Sequence, residues 1–161
     1  MSISYDLLVS YKTPRRIIAR KLAEGPREDR ALALVMGSCA LLFVARFPID
    51  ARLAAEFPEI PLDARLTGGL FSLLFIAPLF FYLLAGFSGL LLRVFGGPKS
   101  FYGPRLALFW ALLCTAPLMM LQGILSGFIG SGVITSAFGL VVFIAFLYIW
   151  LMGLIEVMAE Q

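Results

Sequence analysis

The chain has 161 residues, of which 61% are hydrophobic and only 14% charged, with a formal net charge of +3. Soluble domains run at roughly 45–50% apolar and about 25% charged, so this balance excludes an ordinary soluble fold. The basic residues sit at the ends of apolar runs and not in a stripe, which excludes a nucleic-acid surface and fits topology signals and contacts to lipid headgroups.

Residues 1–30 are polar and basic and carry no apolar core followed by a cleavage site, so no cleaved signal peptide is expected. Thr13-Pro14 is a helix-start signal, with Thr as N-cap and Pro at the first helical position. Ile17, Ile18 and Leu22 fall on one side of that helix and Arg16 and Arg20 on the other, and Gly25-Pro26 ends it. A short basic amphipathic helix lies in the headgroup plane, or packs as a solvated helix on the rest of the protein. The first reading makes Arg15, Arg16, Arg20 and Lys21 membrane-surface contacts.

Four apolar segments follow. The first, Ala31–Ala45, lies between Arg30 and Arg46 and is short for a bilayer core of roughly 30 Å, so a re-entrant segment is its alternative. Residues 46–65 carry seven charged residues and prolines 48, 58 and 61, and read as a water-exposed connection with one short helix over Asp50–Phe57. The second segment, Leu66–Leu92, is expected to kink at Pro78. The third, Leu106–Ile129, contains Pro117, and the fourth, Val133–Ile155, precedes a short acidic tail over 156–161. No charged residue occurs from Leu106 to Ile155, a stretch suited to two antiparallel helices joined by a tight turn at Gly130-Ser131-Gly132. The expected architecture is therefore an all-α, four-span transmembrane bundle over residues 31–155 with an N-terminal amphipathic interfacial helix.

Four spans place both termini on one side. Residues 1–30 and 93–105 then carry ten Lys and Arg, against three in residues 46–65 and none in the glycine turn. The positive-inside rule makes the amino-terminal side cytoplasmic. Phe95, Phe101, Tyr102, Phe109, Trp110, Tyr148 and Trp150 fall at the depth of an aromatic belt in that leaflet.

The chain has no histidine, and its predicted spans hold no carboxylate, so His-based acid–base chemistry, most metal sites and proton relays have no residues to use. Cys39 and Cys114 lie in apolar runs and read as buried small side chains. No catalytic, cofactor-binding or metal-binding residues are assigned, and no cofactor is expected. A pore lining would have to come from Ser38, Ser72, Tyr82, Thr115, Gln122, Thr135, Ser136 and Tyr148. Gln122 needs partners in a medium without water, and an interhelical hydrogen bond is the structural reading. Gly123 and Gly127 form a GxxxG pair, with Gly130 beyond. These residues are assigned to helix packing, against the fourth segment or against another subunit. Gly96-Gly97-Pro98-Lys99-Ser100 lacks the spacing of a phosphate loop and reads as a turn.

The stretch Phe95 to Gly123, FGGPKSFYGPRLALFWALLCTAPLMMLQG, resembles the Yip1-type membrane domain, particularly its short bacterial members. The features that carry it are Gly96-Gly97, Ser100-Phe101-Tyr102 and Pro117, and Pro14 ahead of a basic helix resembles the family's opening segment. The family usually has five spans where this chain has four. The absence of charged groups within the spans, together with small-residue and aromatic helix faces, gives the expected function: a non-catalytic multi-pass protein of Yip1 type that organises, assembles or docks onto a larger membrane complex. The Ala-, Leu- and Arg-rich usage adds a bacterial inner membrane. Its expected partners are the bilayer and other membrane subunits or itself, with no nucleic acid. A small channel or passive transporter acting as an oligomer is the alternative.

Overall fold

The structure is a computed structural model that describes residues 3–97 and 100–159. Those residues form six helices and no strand: α1 (Ile3–Ser10), α2 (Pro14–Ala23), α3 (Glu28–Glu56), α4 (Leu62–Val94), α5 (Tyr102–Ile129) and α6 (Val133–Ala159). The last four are long and apolar enough to cross a membrane.

The expected first segment and the connection after it are corrected. Helix α3 does not stop at Arg46 but runs 29 residues to Glu56, about 43 Å at 1.5 Å per residue. Two local devices carry it past the charges and the proline. Arg46 Nε donates to both oxygens of Asp50, one turn on, at 3.2 and 3.0 Å. Pro48 sits where α5 packs against α3, with a glycine facing it. A proline inside a membrane helix is tolerated where a neighbour covers the disturbed turn. Asp50 therefore lies on a spanning helix with its side chain 1% exposed, against the expectation that the spans hold no carboxylate.

In α4 the disturbance also takes a definite form. Ser72–Ile76 is a π-type turn, closed by the Ala77 N–H on the Ser72 carbonyl, immediately before Pro78. Such a turn absorbs the missing donor of a proline with little break in the helix. At its end α4 is closed by Gly96 at φ +82°, with the Gly97 N–H returning to the Leu92 carbonyl at 2.7 Å. Gly96-Gly97 is thus a helix C-cap. Pro98 and Lys99 of that motif lie outside the described residues.

Helix α5 is the centre of the bundle. Its first half is almost wholly buried, with Leu106, Leu108, Phe109, Trp110 and Ala111 at 0–1% exposure. Helix α3 runs parallel to it, and Arg105 pairs with Glu28 at 2.7 Å near the start of both. Helix α6 returns antiparallel after Gly130-Ser131-Gly132, as expected, with Gly103 against Val157 and Gly153 against Ala107. Helix α4 is the outlying member, touching α5 through Tyr82 on Phe109 (ring centroids 4.9 Å apart), with Gly89 under Phe101, the residue just ahead of α5.

The amino-terminal helices close one end. In α2, Ile17 and Ile18 are buried at 3% and 0% against the bundle, so the apolar face of this amphipathic helix covers protein. Thr13 precedes Pro14 as predicted, but its hydroxyl bonds back to the Val9 carbonyl and does not cap α2. Helix α1 has no counterpart in the sequence reading. Ser10 at its end accepts a hydrogen bond from Trp110 Nε1 at 2.9 Å, and Tyr11 donates to the Cys114 carbonyl at 2.5 Å. The belt assignment is corrected accordingly: Tyr102, Phe109 and Trp110 are core residues.

Candidate functional site

The predicted packing residues are brought together at the end of α5 remote from the amino terminus. A Cβ on Gly123 would fall onto the Ala45 carbonyl oxygen of α3, and one on Gly127 would meet Pro48 at 2.5 Å. The GxxxG pair is therefore spent inside the chain. Its partner is the parallel helix α3, however, and not the adjacent α6. Gly130, at φ +88°, lies under the Arg52 guanidinium. Arg52 Nη1 donates to the Gly127 and Phe128 carbonyls at 3.4 and 3.2 Å, satisfying orphan acceptors at the α5 C-terminus, where a cation is also favoured by the helix dipole. Its Nε donates to Glu56 at 2.6 Å.

These groups border a polar cleft of about 300 Å³ between the ends of α3 and α5 and the start of α6. Arg52, Glu56, Gln122, Ser126, Ser131, Thr135 and Ser136 supply its polar lining. The Arg52 and Glu56 side chains are 34% and 45% exposed. The expectation for Gln122 is corrected. Its amide abuts Gly139 of α6, where a Cβ would come within 2.5 Å of Nε2, but it makes no hydrogen bond among the described residues.

Beyond Gln122 the polar lining gives way to an apolar groove of about 420 Å³ between α4 and α6, floored by α5. Phe80, Phe81, Leu112, Phe143 and Phe146 line it, and Gln122 belongs to both spaces. Two of the hydroxyls expected to line a pore are engaged within their own helices, while Ser136 lines the cleft. Ser38 and Thr115 donate to the Leu34 and Ala111 carbonyls of their own helices, at 2.7 and 3.0 Å.

At the opposite end the four basic residues of α2 part company. Arg16 is exposed, while Arg15 pairs with Glu156 at 2.6 Å and Arg20 with Asp6 at 2.5 Å. Lys21 departs from the surface expectation. It is 8% exposed, with Nζ 4.1 Å above the Trp110 ring and 3.9 Å from Asp6. Burial lowers its pKa from the usual 10.5, and the nearby Asp6 carboxylate opposes that shift.

Sequence reasoning missed Asp50 and the Arg52–Glu56 pair as parts of the bundle. The signal available was the i, i+4 spacing of Arg46–Asp50 and Arg52–Glu56, which favours a continuing helix over a loop. Among the described residues no group of three or more His, Cys, Asp or Glu is arranged to hold a metal ion. No protein-family model, curated protein or solved structure matches the chain.

Proposed function

We propose that this chain is a non-catalytic accessory protein of Yip1 type that docks through α4 onto another subunit in a bacterial inner membrane, with its amino terminus cytoplasmic. The observation that carries the reading is the outer face of α4. Lipid tails are as apolar as leucine, so exposed phenylalanines alone draw no partner. Small residues that allow close backbone approach, and hydroxyls in need of an acceptor, do.

Gly68 and Ser72 are both exposed on α4, one helical turn apart, and a Cβ at Gly68 would meet nothing within 4 Å. This small-xxx-small pair is unused within the chain, whereas Gly123 and Gly127 are occupied by α3. It adjoins the π-type turn, a feature common at functional positions. The charge bias across the spans supports the orientation.

The test is gentle extraction in native nanodiscs, followed by identification of whatever accompanies the protein at fixed stoichiometry. The reading expects a membrane protein to be retained and to be lost from the Gly68→Leu and Ser72→Leu variants. Recovery of the wild-type chain alone would contradict it.

A further inference from the structure

The polar cleft and the apolar groove meet at one side chain, Gln122, and this junction has the layout of an amphiphile site. We infer that the two spaces together hold one phospholipid whose headgroup carries both a phosphate and a primary ammonium.

The cleft fixes the headgroup. Arg52 and Glu56 are an ion pair of zero net charge, so the cleft they line favours a zwitterion over an anion. Arg52 is held by two backbone carbonyls and by Glu56, which leaves its Nη2 edge without a protein acceptor among the described residues. A guanidinium edge suits a phosphate. Glu56 retains acceptor capacity for an ammonium N–H, since a carboxylate accepts at about four lone-pair sites. Ser131 and Ser136 add hydroxyls on the α6 side. An anionic headgroup without an ammonium offers no N–H donor to the remaining acceptor sites of Glu56. A choline headgroup has no N–H to donate.

The groove fixes the tail. From Gln122 to Leu112 it follows ten residues of α5, about 15 Å, which is one leaflet of a roughly 30 Å hydrocarbon core. Phe80 and Phe143 on its rims are 58% and 54% exposed, so the groove opens sideways to the bilayer and a chain enters without crossing protein. Gln122 lies where the ester linkage would fall, and its amide has no hydrogen-bond partner among the described residues, so a glycerol ester carbonyl would supply one. Zwitterion below, ester acceptor at the junction and acyl chain above occupy the three environments in their order along α5.

The experiment is native mass spectrometry of the full chain equilibrated in mixed micelles with equal amounts of dioleoyl phosphatidylethanolamine, phosphatidylglycerol and phosphatidylcholine. The inference expects one phosphatidylethanolamine retained per chain, several-fold above the other two. Retention then falls stepwise with mono- and dimethylated ethanolamine headgroups, a series that needs no variant. Glu56→Gln abolishes the preference over phosphatidylcholine, and Gln122→Leu lowers retention of all three lipids several-fold. Equal retention of the three headgroups by the wild type, or indifference to N-methylation, overturns the inference. A preference that survives Glu56→Gln in a variant with unchanged melting temperature does so as well.

Discussion

Gly123 of α5 lies directly against the backbone carbonyl of Ala45 in α3, so that no Cβ fits between the two helices at this point. With Gly127 on Pro48, this contact seats α3 in the middle of the bundle beside α5. The neighbour it meets is backbone, which cannot swing aside as a side chain does. Gly123→Ala is expected to lower stability by about 1–3 kcal/mol, the usual cost of overpacking. Gly37→Ala, on the same helix as Ala45 but with open space around it, is expected to be neutral or to add up to about 1 kcal/mol of helix propensity. Thermal unfolding in a single detergent, with both variants beside the wild type, checks the contrast.

Asp50 and Arg46 are unequal partners. The carboxylate is 1% exposed and the guanidinium side chain 53%. Removing the arginine strands a buried charge, whereas Asp50→Asn removes the charge and leaves an exposed arginine to solvent. Arg46→Gln is therefore expected to cost more than Asp50→Asn, by about 1–3 kcal/mol after allowing for the solvent exposure of Arg46. The double variant is expected to recover part of the loss. A double-mutant cycle read by denaturation midpoint measures it, and equal losses in the two single variants would contradict the assignment.

Lys21 gives the amino-terminal cap a pH dependence. Its folded pKa lies below the unfolded 10.5 because burial disfavours the ammonium. Between those two values the unfolded chain binds more protons than the folded one, so stability from this group rises as pH climbs from the folded value towards 10.5, and is lost as pH falls back through the folded value. Lys21→Met is expected to remove that alkaline increment. Fluorescence of Trp110, which lies 4.1 Å from Nζ, is expected to respond over the same window in the wild type and to be flat in the variant.

The parts of this fold that were legible in the sequence are those specified locally. The α5–α6 hairpin needed only a long uncharged run interrupted by Gly130-Ser131-Gly132, and the α2 helix only Pro14 and Gly25. The end of α3 was not legible, because Arg46 and Pro48 are ordinary stop signals. What carries the helix past them is a side-chain pair within α3 and a glycine 79 positions further on (127 − 48). The partner of Gly123 and Gly127 is not legible for a related reason. Adjacency in sequence favours α6, while the backbone approach is made with α3. Trp110 looked like an interface residue because nothing local reveals that Ser10 and Lys21 close over it.

A four-span bundle puts the α1–α2 cap at one face of the membrane and the α5–α6 turn at the other. Site-directed labelling tests it most directly. In a background with Cys39→Ser and Cys114→Ser, Ser131→Cys and Lys12→Cys are introduced separately and intact cells are treated with a membrane-impermeant maleimide. Ser131→Cys is expected to be labelled in intact cells and Lys12→Cys only after permeabilisation. Labelling of both positions from the same side would contradict it.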